Sequence, residues 1–173
     1  WERLAFYESL WNGAPSVYAD YDKTKQAVLS LKSYIDAQPK SIQLCHIDAV
    51  PDNFLFVTGK DGSEEIKLID WEYAGMQDPH LDVAMFIIYA MYDRDSAEKL
   101  IDLYFSDGCD QATRLKVYCY IAVSGLVWSN WCEFKHHCGV EFGAYTQRQY
   151  DYAREYTKIF FKEYREAFGR DYV

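Results

Sequence analysis

The chain has 173 residues, half of them hydrophobic, which is enough for one domain with a buried core and leaves no stretch with the composition of a disordered tail. Its formal charge of −9, with 18 Lys and Arg against 27 Asp and Glu, excludes the basic stripe of a nucleic-acid binder. No apolar run is long enough to span a bilayer, so a cytoplasmic protein without a membrane partner is expected.

Helical spacing of Leu4, Phe6, Tyr7, Leu10 and Trp11 predicts a first helix over 2–12, stopped by Asn12-Gly13-Ala14-Pro15. A second is predicted from an Asp22 cap through Val28, Leu31 and Ile35 until Pro39 ends it. Three short β-prone or apolar runs follow, at 41–45, 54–57 and 66–69, and Thr58-Gly59-Lys60-Asp61-Gly62-Ser63 joins the last two as a hairpin turn. From Asp78-Pro79 onward the pattern is helical: 80–92, then 96–107 with Asp95 and Glu98 in capping-box spacing, then 111–135 and 142–168. The fold class is therefore mainly α with a small β hairpin, a single α+β domain over 1–173. Five cysteines, odd in number and irregular in spacing, read as free thiols.

Chemistry concentrates at the two ends of the hairpin. Before it stands His46-Ile47-Asp48-Ala49-Val50-Pro51-Asp52-Asn53, and after it Ile69-Asp70-Trp71-Glu72-Tyr73-Ala74-Gly75. Phosphoryl transfer to an alcohol needs a carboxylate beside the hydroxyl, and Mg²⁺ held by oxygen ligands on the phosphates of ATP. Asp48 has the place of the proton acceptor, and Asn53 and Asp70 that of the metal ligands, in the order of the protein-kinase catalytic loop and metal-binding Asp. Glu72, two residues beyond Asp70, can reach the metal through water or anchor the loop, and anchoring is the preferred role.

Trp128 and Trp131 are three apart on a predicted helix and share a face, where they either pack in the core or wall a cation by cation–π attraction. Tyr145 and Tyr152, seven apart on the last helix, are candidates for a further wall. Cys132, His136, His137 and Cys138 match no standard zinc spacing and read as a solvated helix end.

Taken together, these motifs make the chain similar to the C-terminal lobe of the choline/ethanolamine kinase family, bacterial type, a branch of the aminoglycoside phosphotransferase and protein-kinase-like superfamily. The resemblance is carried by His46-Ile47-Asp48 with Asn53, by Ile69 to Tyr73, by Asp82 twelve residues after Asp70, and by the Trp pair. It implies structural roles for His46 and Asp82, the latter bracing the catalytic loop, and it turns the Trp pair from core packing into a cage for a trimethylammonium group. Tyr89 stands where the family usually carries an acidic residue near the substrate cation, which favours choline over ethanolamine. The implied reaction is ATP-dependent phosphorylation of choline, or a related small amino alcohol, to phosphocholine. Thiamine, methylthioribose or aminoglycoside phosphorylation, or a non-catalytic acceptor-binding module, are the alternatives.

No Gly-rich phosphate loop followed by a strand Lys occurs in 1–173. The chain, which begins without Met, is accordingly expected to be part of a longer protein whose N-terminal nucleotide-binding lobe lies elsewhere, and to have little kinase activity alone.

Overall fold

A computed structural model describes residues 1–172. The helices are α1 (Glu2–Ser9), α2 (Tyr21–Ser30), α3 (Lys32–Ala37), α4 (His80–Tyr89), α5 (Arg94–Tyr104), α6 (Gln111–His137) and α7 (Ala144–Phe168). The strands are β1 (Gln43–Cys45), β2 (Phe54–Thr58), β3 (Glu64–Leu68) and β4 (Gly75–Gln77). No described helix is long and apolar enough to cross a membrane.

Helix α6 is the axis of the molecule because it is apolar nearly all round, and such a helix must be enclosed. Leu115, Val117, Tyr118, Cys119, Ile121, Ala122 and Leu126 are all buried on it, against α7, α4, α1 and α2. The main core joins Ile87 and Ile88 of α4, Ile101 of α5 and Tyr152, Tyr156 and Phe160 of α7 to that axis. Tyr34, Tyr118 and Tyr164 add further aromatic rings to this core.

Close approach of α6 and α7 depends on Gly125. A Cβ at this position would sit 2.7 Å from the Gln149 carbonyl oxygen and 2.8 Å from the Tyr152 Cβ, and a helix backbone cannot yield to it cheaply. Gly125→Ala is expected to destabilise the fold by about 1–3 kcal/mol through overpacking, read as a lower denaturation midpoint.

The first helix ends at Ser9 rather than 12 and α4 at Tyr89 rather than 92, and three further differences have a visible cause. The second helix is two, α2 and α3, divided at Leu31, whose N–H donates to the Val28 carbonyl three residues back, while Leu31, Tyr34 and Ile35 stay on one buried face. Its N-cap is Asp20, whose carboxylate accepts from Tyr150 and pairs with Arg154, rather than Asp22. Helix α5 starts earlier, since the Asp93 carboxylate accepts from the Ser96 N–H at 2.9 Å, while Glu98 is engaged by Arg114 and Tyr118 instead of capping.

The β structure is two separate antiparallel ribbons. The expected hairpin is β2–β3, with Phe54 opposite Leu68 and Thr58 opposite Glu64. The other ribbon pairs β1 with β4, Gln43 opposite Gln77 and Cys45 opposite Gly75. β4 is not among the three expected strands, for Gly-Met-Gln is too short to show a period. Because this pairing is antiparallel, it sets the chain leaving β1 beside the chain entering β4, so the loop after Cys45 and the loop before Gly75 lie side by side and position the site.

Candidate active site

Residues 46–53 form a loop from β1 to β2 that is held from outside. The carboxylate of Asp82, in the first turn of α4, accepts from the backbone N–H groups of both His46 and Ile47 at 2.8 Å each. Ile47 is thereby kept at φ 69°, a left-handed conformation costly for a β-branched residue and stable only when its surroundings enforce it. Asp48 follows directly, half-buried. Its carbonyl oxygen accepts from the Val50 N–H at 2.8 Å and from the Asn53 side-chain amide at 3.0 Å, so the loop closes on itself.

The second motif is tied to the first at two points. The Ile69 N–H donates to the Asn53 carbonyl at 3.0 Å, extending the hairpin by one bond. His46, 2% exposed, donates its Nε2–H to the Ile69 carbonyl at 2.8 Å, and its ring packs edge-on to Trp71 with centroids 4.7 Å apart. Asp70 comes next at φ 63°, a conformation that Asp tolerates, and is exposed. Thus Asp48, Asn53 and Asp70 share one rigid frame, and His46 is a strut in that frame.

A groove of about 550 Å³ opens in front of Asp48, lined among others by Glu72, Tyr73, Tyr89, Trp128, Trp131, Phe142 and Tyr145. Its rings form a continuous series: Tyr89 to Trp128 at 5.5 Å, Trp128 to Trp131 at 5.3 Å and near right angles, Trp131 to Phe142 at 4.9 Å, and Phe142 to Tyr145 at 6.4 Å. A smaller chamber of about 170 Å³ adjoins it, sharing Asp48, Tyr73, Tyr89 and Trp128 and closed by Tyr7, Leu81, Met85 and Val123.

Three carboxylates, Asp48, Asp52 and Glu72, line the groove beside its aromatic walls. The charge of Glu72 raises the pKa of the Tyr73 phenol, with further contributions from partial burial and from Asp48. Burial first, and then Asp48, raises Tyr89 far above the ordinary phenol value, and burial is again the main cause at Tyr145, with Cys132 and Asp48 contributing. Tyr89 therefore stays a neutral phenol beside a carboxylate. Its buried hydroxyl has no hydrogen-bond partner among the described residues.

Of the residues singled out by sequence, Asp48, Glu72, Tyr89, Trp128, Trp131 and Tyr145 line the groove together. Tyr152 does not join them. It is fully buried in the main core, and its hydroxyl donates to the carbonyls of Ile87 and Tyr92. Tyr145 and Tyr152 share a helix face in angle, but that face passes from the groove into the α4 contact within two turns. Sequence reasoning missed Phe142, Tyr73 and Tyr7 as wall residues. Tyr73 was within reach, being in the second motif, whereas Phe142 sits just before the left-handed Gly143 that caps α7, where no period marks it.

The frame offers two oxygen donors that the sequence marks as metal ligands, the Asn53 side-chain carbonyl and the Asp70 carboxylate. No cluster of three or more His, Cys, Asp or Glu residues able to hold a metal occurs among the described residues. That set fits Mg²⁺, which keeps waters and shares phosphate oxygens, better than an ion caged by protein alone. Cys132 is buried, and His136 instead pairs with Glu141 at the exposed end of α6.

A mainly helical lobe with two small ribbons and two linked acidic loops beside a groove has the architecture of the helical C-terminal lobe of the choline kinase-like fold. The family model for choline/ethanolamine kinase matches residues 5–119, and the chain belongs to that family. Protein LicA of Haemophilus influenzae is 30% identical over 121 residues, which cover 63% of this chain and 41% of that protein. The crystal structure of choline kinase LicA from Streptococcus pneumoniae superposes with a TM-score of 0.72 at 30% identity, covering 91% of this chain and 54% of that one. A structure of LicA in complex with AMP gives 0.71 at 29% identity, covering 92% and 53%. The chain thus spans about half the length of the relatives it matches.

Proposed function

We propose that the protein carrying this chain phosphorylates choline to phosphocholine with ATP as donor, in the cytoplasm, and that residues 1–173 are its catalytic and acceptor-binding lobe. The observation that carries the reading is the aromatic groove ending on Asp48. A quaternary ammonium has no hydrogen to donate, so it is held by ring faces and nearby negative charge, and the groove is lined by rings and by the carboxylates of Asp48, Asp52 and Glu72. Ethanolamine offers three N–H donors that need acceptors, and Tyr89, in place of the family's acidic residue, supplies none of comparable strength.

In this reading the rings of Trp128, Trp131 and Tyr145 orient the cation so that the hydroxyl points at Asp48. Asp48 accepts the hydroxyl proton as the oxygen attacks the γ-phosphorus, and the leaving group is ADP. Asn53 and Asp70 would hold Mg²⁺, which neutralises phosphate charge when bound. One N–H of the Asn53 amide is committed to the Asp48 carbonyl, which leaves its side-chain oxygen as the free ligand. Asp82 and His46 keep the two loops in register, and Glu72 anchors the second.

Donor binding needs a lobe outside these residues, a reading supported by the twofold length of the solved relatives and by the AMP complex of LicA. The 173-residue chain by itself is therefore expected to bind acceptor and to turn over little.

The test is a substrate panel on the full-length protein with ATP and choline, ethanolamine, thiamine and an aminoglycoside. The reading requires the highest kcat/KM for choline, and preference for thiamine or an aminoglycoside would replace it. Trp131→Ala is expected to raise the choline KM roughly tenfold or more, the loss of one cation–π wall of about 1–2 kcal/mol, with a smaller effect on kcat.

A further inference from the structure

Lys116, in the first turns of α6, is 3% exposed. Its Nζ donates to Asp78 Oδ2 at 2.7 Å and to the Pro39 carbonyl at 2.8 Å. Asp78, 5% exposed, accepts on the same oxygen from the Tyr120 hydroxyl at 3.1 Å and on the other from the His80 backbone N–H at 3.2 Å. Burial opposes ionisation of Asp78, but the hydrogen bonds of Lys116 and His80 and the charge of Lys116 hold its carboxyl below the ordinary value. Burial and Lys116 together push the neighbouring His80 imidazole down. Nothing in the phosphoryl-transfer chemistry above uses this pair, and a buried ion pair is a poor way to gain stability alone.

Its place in the chain shows what it holds. Pro39 precedes β1, and Asp78 lies between β4 and α4. The β1–β4 ribbon has three residue pairs, and Leu44 and Met76 on it are more than 60% exposed, so packing contributes little to its position. Yet β1 runs straight into His46-Ile47-Asp48, and Asp82, which receives the His46 and Ile47 amides, is four residues beyond Asp78. One ammonium therefore grips the chain entering β1 and the chain leaving β4, and hence both anchors of the loop. The same continuous helix carries Trp128 and Trp131 of the groove, the first of them about 18 Å further along at ~1.5 Å per residue.

We propose that Lys116 is a positioning residue for the transfer step: through Asp78 and the Pro39 carbonyl it fixes the Asp48 loop to the helix that holds the acceptor walls, and so sets the distance from Asp48 to the acceptor hydroxyl. The proposal rests on the acceptor reading above for its kinetic form, but not for its structural form.

The test uses the full-length protein and the double variant Lys116→Met with Asp78→Asn, which removes both charges together and strands neither. The expected result is a kcat lower by on the order of 10- to 100-fold, an acceptor Kd within about twofold of wild type, and faster hydrogen exchange at the His46 and Ile47 amides. Unchanged kcat and unchanged exchange in the folded double variant would overturn the proposal, as would a parallel loss of kcat and acceptor affinity. Should the double variant not fold, Lys116→Arg decides by the same readings, because the bulkier head cannot reproduce both bonds in the buried site: lower kcat with preserved Kd supports the role, and wild-type kcat and exchange refute it. If wild-type protein prefers thiamine to choline, the acceptor reading fails, and kcat with thiamine plus amide exchange then judges Lys116 independently.

Discussion

Asp48→Asn in the full-length protein is expected to lower kcat by about 10²- to 10⁴-fold, the usual range for removing a general base, while choline affinity changes by no more than a few-fold. The substitution is nearly isosteric, and the two hydrogen bonds that shape the loop at this residue fall on its backbone carbonyl, so the loop geometry survives. What is lost is the capacity to take the hydroxyl proton. The aromatic walls of the groove are untouched, and the carboxylates of Asp52 and Glu72 remain along it. Steady-state kinetics with choline varied at saturating ATP, together with calorimetric binding, separate the two effects. Turnover equal to wild type would remove Asp48 as the base.

Asp82→Ala is expected to damage both fold and rate. Two charge-assisted hydrogen bonds disappear, each worth about 1.5–3 kcal/mol, and the left-handed conformation of Ile47 loses what enforces it. A loss of roughly 3 kcal/mol in unfolding free energy is anticipated. Relaxation of Ile47 would also turn Asp48 away from the groove, and a misplacement of about 1 Å is enough for a further 10²-fold in kcat. Asp82→Asn, which can accept from one amide but presents donors to the other, should fall between. Denaturant unfolding and kinetics on the same preparations check both, and an alanine variant with wild-type kcat would show that the loop holds itself.

The chemistry-bearing pattern was more legible in the sequence than the architecture that aims it. Asp48, Asn53 and Asp70 could be read because a tight hairpin between two short motifs allows few arrangements, and the hairpin turn announces itself through Gly59 and Asp61-Gly62. The long helices α6 and α7 were equally visible. β4 was not, because three residues carry no period and its partner β1 is thirty positions away. The break at Leu31 was hidden as well, since no Gly or Pro marks it and Leu31, Tyr34 and Ile35 keep helical spacing across it.

The acceptor walls show the same limit. Trp128 and Trp131 stood out by spacing, and Tyr145 by helix face, but face alone could not tell Tyr145 in the groove from Tyr152 in the core. That distinction depends on where α7 crosses α4, which the Tyr152 bonds to the Ile87 and Tyr92 carbonyls reveal. Phe142 and Lys116 needed the assembled molecule too. Lys116 reads in sequence as one more helix cation, and only the meeting of residues 39, 78 and 116 gives it a partner.

Calorimetric titration of the 173-residue chain with choline, alongside ethanolamine and thiamine, tests most directly the claim that the acceptor site is complete here. Choline binding that exceeds ethanolamine binding, survives Asp48→Asn and is weakened roughly tenfold or more by Trp131→Ala is the predicted result. A folded chain that binds no choline, or binds thiamine more tightly, would contradict it.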